Sequence, residues 1–126
     1  MNKLLALAAV GEAVLGLVLL VHPPVVVQLL FGAEIRGAGM VMSRITGISL
    51  IALGIACWPG RDTSGRALPR VGMFTYSSLA TLYLAYQGLG GEWVGRLLWP
   101  AVVFHAALTV LLVRTWIKYQ RIDDQE

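Results

Sequence analysis

The chain has 126 residues, 57% hydrophobic and only 13% charged, with a formal net charge of +3. Soluble domains carry about 25% charged residues, so this low share, with long uncharged runs and a mean hydropathy of +0.72, excludes an ordinary water-soluble domain and points to a bilayer as solvent. The pI of 9.4 needs no nucleic acid to explain it, because no polar domain is left to carry one and anionic lipid headgroups suit the excess base.

Four windows, about residues 3–22, 38–58, 70–89 and 95–116, are long and apolar enough to cross a hydrocarbon core of ~30 Å as helices. They use most of the chain, so residues 1–126 read as a single transmembrane domain. A membrane β-barrel is excluded by stretches such as ISLIALGIACW and AALTVLLV, which are apolar at consecutive positions where barrel strands alternate.

The first window opens on Lys3, as a secretory signal would. Its apolar core is too long for one, holds Glu12, and leads into HPPVVV instead of a small-x-small cleavage site, so it is expected to stay as a helix. His22-Pro23-Pro24 ends it, since proline cannot continue the hydrogen-bond ladder. VVVQLLFGAE then reads as a short interfacial segment ending at Gly32.

The second window carries Arg44, with Ser43 and Gly47 as a small-xxx-small pair, and closes on Trp58-Pro59-Gly60. Cys57 near its end is a small apolar filler; as the one cysteine it excludes an internal disulfide and a multi-thiolate metal site. WPGRDTSGRALPR forms the turn to the third window, where Tyr76, Ala80, Tyr83 and Gln87 follow helical steps along one stripe. That helix ends in the glycines of 88–91. Ala101, His105 and Thr109 make a similar stripe on the last helix, and QRIDDQE is a solvated tail.

Short connections force successive helices antiparallel, which predicts an all-α, up-down-up-down four-helix membrane bundle. Lys3, Arg61, Arg66, Arg70, Arg114, Lys118 and Arg121 then share one side, with Arg36 and Arg96 on the other. Basic loops stay cytoplasmic, so both termini are expected inside a cell (inner) membrane. Trp58, Trp93, Trp99 and Trp116 fall near helix ends, where indoles anchor in the headgroup zone, and Glu34, Arg36, Glu92 and Arg96 form an outer polar rim.

The polar residues inside the windows raise the functional question. Counted from the outer helix ends, Glu12 and His105 each lie about 15 Å deep and Arg44 about 9 Å. Tyr83 and Tyr76 belong to the same slab. An isolated charge at this depth costs several kcal/mol, so a Glu12–Arg44 salt bridge is expected, with Tyr76, Tyr83 or His105 meeting leftover donors and acceptors. Such a pair is either a clamp fixing helix register or a ligand or proton site; a tight pair argues against a proton carrier, because the arginine holds the carboxylate ionised. An anionic or quinone-like ligand could use Arg44, His105 and the tyrosines as donors.

His105 could ligate haem iron, but His22 lies at the outer interface, about 15 Å away in depth, and cannot share that haem. No HExxH, GxSxG or phosphate-binding loop occurs, so neither a catalytic residue nor a metal site is predicted. No cofactor is predicted either, with quinone and haem as the alternatives.

The stretch HPPVVVQLLFGAEIRGAGMVMSRITGISLIALGIACWPG, with Arg44 and Gly47 opening a second helix that closes on Trp-Pro-Gly, resembles the broad DoxX-like superfamily. The resemblance implies a small four-helix membrane protein, in a group of mostly unknown function with some members tied to quinone-linked or redox complexes. The expectation is a non-catalytic scaffold or accessory subunit that binds a hydrophobic or anionic small molecule at the polar site. The alternatives are a small homo-oligomeric transporter and a haem- or quinone-binding subunit of a redox complex. Its partners would be lipid and either further copies of itself or a membrane complex.

Overall fold

The computed structural model describes residues 2–58 and 67–123. Among these, all regular structure is helical: α1 (Asn2–Val21), α2 (Pro23–Phe31), α3 (Ala38–Ala56), α4 (Ala67–Gly90) and α5 (Leu98–Asp123). The turn expected at Pro59-Gly60, with Arg61 and Arg66, and the end of the tail at 124–126 lie outside the described residues.

Helix α1 shows the building rule. Leu5, Ala8, Ala9, Glu12, Gly16 and Leu19 are buried, and their spacing of three, one, three, four and three residues keeps them on one stripe. The large side chains Leu7, Val10, Val14 and Leu17 point outward. Polar Glu12, Ser77 and His105 are inside, while Ile45, Ile48, Leu79, Leu82 and Val103 are each at least half exposed. Water would penalise such an inverted distribution; hydrocarbon favours it. The hydroxyls obey the same solvent: Thr46, Ser49, Ser78, Thr81 and Thr115 each donate to a carbonyl four residues back on their own helix.

Three stretches, Lys3–Val21, Ala38–Ala56 and Leu98–Lys118, are long and apolar enough to cross a membrane. The expected third window, 70–89, is not among them. Helix α4 has the length, 24 residues, but Tyr76, Ser77, Ser78, Thr81, Tyr83, Tyr86 and Gln87 dilute its apolar character.

Small residues set the packing of α1 on α3. A Cβ added to Gly47 would stand 2.5 Å from the Gly16 carbonyl oxygen, and one added to Gly54 2.6 Å from that of Ala9. The two backbones therefore touch, with later residues of α3 opposite earlier residues of α1: the pair is antiparallel. Helices α4 and α5 form a second antiparallel pair, in which Gly88 meets Leu98 and Trp99 while Tyr76 meets His105. One core cluster joins both pairs through Leu5, Ala8, Ala9, Cys57, Met73, Leu108 and Leu112. A smaller one, Leu19, Val26 and Leu50, lies toward the other end, where α2 packs.

Helix α2 is the ordered form of the segment after the first helix. Pro23 and Pro24 occupy its first turn, where no amide is missed, and Gly32 closes it in the left-handed conformation (φ +66°). The backbone amides of Gly95 and Leu97 donate to the carbonyls of Leu30 and Leu29, both at 2.8 Å. These bonds satisfy the open end of α2, and they hold residues 95–97 in a turn outside the helix. The last helix consequently begins at Leu98, three residues after the expected 95.

Candidate functional site

Between the α1–α3 pair and the α4–α5 pair lies a cavity of about 820 Å³. The Leu5–Leu112 cluster fills the bundle on one side of Glu12, so the cavity occupies only the half beneath α2. Its walls are mostly aliphatic, including Leu15, Leu19, Val26, Leu30 and Leu50, with Glu12, Tyr76 and His105 grouped at the inner end and Ser43, Thr46 and Tyr83 further along.

The polar groups at the inner end come from three helices. Glu12 projects from the middle of the buried stripe of α1 and is 1% exposed; His105, from α5, is 5% exposed. Glu12 Oε1 stands 3.9 Å from His105 Nδ1, too far for a hydrogen bond, though near enough for one atom of a third group to bridge them. The Tyr76 hydroxyl interacts with the Glu12 carboxyl, and the Tyr76 ring meets the His105 ring edge to face at 5.7 Å. Phe104 packs on the other side of the imidazole, at 5.5 Å and 73°. This triad leaves Glu12 Oε2 and His105 Nδ1 buried without a hydrogen-bond partner. Burying such atoms unpaired costs about 1–3 kcal/mol each, more for a charged group, so the site is built to receive a polar partner.

Of the five side chains singled out from the sequence, Glu12, Tyr76, Tyr83 and His105 line this one cavity and Arg44 does not. Tyr83 stands two turns beyond Tyr76, toward the α2 end, and is 61% exposed at the cavity's edge.

The expected Glu12–Arg44 salt bridge is not formed. Arg44 is exposed, and among the described residues the ionisable partner of Glu12 is His105. The reason is register. Gly47 lies against Gly16, Leu19 and Leu20, and Gly54 against Ala9 and Ala13. Interpolation puts Glu12 level with residues near 52 of α3, so Arg44 is some eight residues, or about 12 Å, further along the axis. Counting depth from helix ends misplaces it because α3 begins beyond the end of α1, alongside α2.

The two predicted stripes are partly used. Ala80 and Ala101 line the cavity, Gln87 does not, and Thr109 Oγ1 donates to the His105 carbonyl oxygen at 2.9 Å. Sequence reasoning missed Ser43, Thr46 and the α2 residues Val25, Val26, Val27, Leu29, Leu30 and Phe31, all of which line the cavity. The apolar run VVVQLLF was the available signal for α2, since a segment so apolar needs something to cover.

His22 lies exposed at the end of α1, ten residues or about 15 Å along the axis from Glu12. Among the described residues no group of three or more His, Cys, Asp or Glu side chains converges. At the opposite edge Arg36 pairs with Glu34 at 2.8 Å, both fully solvated in character. No protein-family model, no curated protein and no solved structure matches this chain.

Proposed function

We propose that this chain is a small multi-pass membrane protein that holds a hydrophobic small molecule between its helices, acting as a non-catalytic accessory or scaffold subunit. The observation that carries the reading is the cavity of about 820 Å³ with one carboxyl oxygen of Glu12 and the Nδ1 of His105 left unpartnered at its inner end. Ligand sites are commonly apolar clefts of about 300–1,000 Å³ with a few convergent polar groups, and this cavity has both features. A lipid-soluble molecule would place its body against the aliphatic walls and its head against Glu12, His105 and Tyr76.

In this reading α1, α3, α4 and α5 form an up-down-up-down bundle, with α4 crossing beside three more apolar helices. Burial of Ser77 and partial burial of Tyr76 inside the bundle support that, because they take these two polar groups of α4 away from lipid. The packed cluster gathers the start of α1, the end of α3, the start of α4 and the later part of α5. Lys3, Arg70, Arg114 and Lys118 belong to that end, which supports cytoplasmic termini by the positive-inside rule. Trp58, Trp93, Trp99 and Trp116 are 42–54% exposed close to the helix ends, as interfacial anchors would be. A DoxX-like kinship fits this layout. An anionic ligand loses its support, since Arg44 is outside the cavity; a quinone-like molecule keeps it. A haem with two histidines has none, given the separation of His22 from His105.

Native mass spectrometry of the gently extracted protein tests the reading. The expected result is a specific hydrophobic adduct on the wild type that is lost when Ala101→Phe fills the cavity. A wild type that carries only bulk lipid, with the same profile in Ala101→Phe, would overturn it.

A further inference from the structure

We infer that the molecule bound in this cavity is a lipophilic cation, an ammonium-type head on an apolar body, with Glu12 as its counter-charge. The inference rests on the ligand-holding role proposed above and specifies the chemistry of the head. Among the described residues lining the cavity, Glu12 is the one acid and no lysine or arginine accompanies it. The nearest expected counter-ion, Arg44, is about 12 Å away along the axis and faces outward. An ionised Glu12 faces no charge in this cavity other than that of a protonated His105, 3.9 Å away, and a neutral head adds none. An anionic head would be repelled.

An ammonium answers each open feature at once. Its several N–H groups can donate to Glu12 Oε2 and to the Nδ1 lone pair of His105, two of the buried atoms left without partners. With only 3.9 Å between Oε1 and Nδ1, a single nitrogen can reach both side chains. Tyr76, Tyr83 and Phe104 supply π faces along the same cavity, and a desolvated cation gains from them. The aliphatic walls toward α2 take the apolar body. Access is from the side: Met42 and Tyr83 line the cavity yet remain 57% and 61% exposed, so a molecule dissolved in the bilayer meets an open edge.

The test compares three probes of one chain length, decylamine, 1-decanol and decanoate. Saturable binding to the full-length protein in phosphatidylcholine nanodiscs would be measured with empty discs subtracted. The expected result is decylamine binding at least tenfold tighter than decanol, with decanoate weakest, and the amine preference falling to within twofold in Glu12→Gln. Equal binding of amine and alcohol would overturn the cation while leaving the cavity as a lipid site. Should none of the three bind saturably, the ligand-holding role itself fails. If Glu12→Gln does not fold, protection of Glu12 from carbodiimide labelling in the wild type decides: N,N-dimethyldecylamine, a tertiary amine that forms no amide with the activated carboxyl, should protect and decanol should not, and equal protection by the two would sink the cation.

Discussion

At the scale of single residues, Arg44 and Glu12 make opposite demands. Arg44 is exposed and, among the described residues, pairs with no acid, so Arg44→Gln should change stability by less than about 0.5 kcal/mol, as substitutions away from packed or paired features do. A buried pair broken on one side would instead lose about 3–5 kcal/mol, and thermal unfolding in detergent separates the two. Glu12→Leu should raise the melting temperature, because it replaces a buried carboxyl with one unpartnered oxygen by a side chain suited to the largely aliphatic cavity; a fall would mean that the carboxyl and its Tyr76 contact hold the native packing together. That Glu12, Tyr76, Tyr83 and His105 are candidates was legible from type and depth alone, since ionisable or phenolic groups are conspicuous in apolar windows. Which of them meet was not legible. The partner of Glu12 depends on the register between α1 and α3, and that is set by where two glycine-containing surfaces interlock.

At the scale of helices, small residues govern the fold. Gly47→Val should destabilise by about 1–3 kcal/mol or more, because its Cβ would meet the Gly16 carbonyl oxygen at 2.5 Å and backbone cannot yield as a flexible side chain can. Gly72→Ala is the matching control: a Cβ there has nothing within 4 Å, so stability should hold or rise slightly. Denaturation midpoints of the two variants check this directly. The Ser43/Gly47 pair hinted at close packing, and the alternation of apolar windows with Pro- and Gly-rich breaks made the helices readable. The start of α5 was not, because Gly95 and Leu97 spend their amides on α2, a long-range contact with no local signal. The lower apolarity of α4 follows the same logic: the hydroxyls of Ser78 and Thr81 are tolerable because its own backbone takes them up, while Tyr83 and Tyr86 stay exposed.

At the scale of the whole molecule, an inverted polarity and a half-filled bundle belong together. One half is packed solid by Leu5, Met73, Leu108 and their neighbours; the other is held open by Glu12, His105 and the roof of α2. With basic residues gathered at the packed end, cysteines placed at Lys3 and Lys118 in a Cys57→Ser background should both be shielded from an impermeant thiol reagent in intact cells. One placed at Glu34 should react, and labelling of the first two instead would reverse the proposed orientation. The central claim is that the open half receives a ligand whose head sits between Glu12 and His105. An experimental density map of the protein in lipid nanodiscs at side-chain resolution tests it most directly. The expected result is elongated density starting between Glu12 Oε2 and His105 Nδ1 and running beneath α2; helices closed over an empty space, with Glu12 bonded directly to His105 or Arg44, would overturn the ligand-holding role.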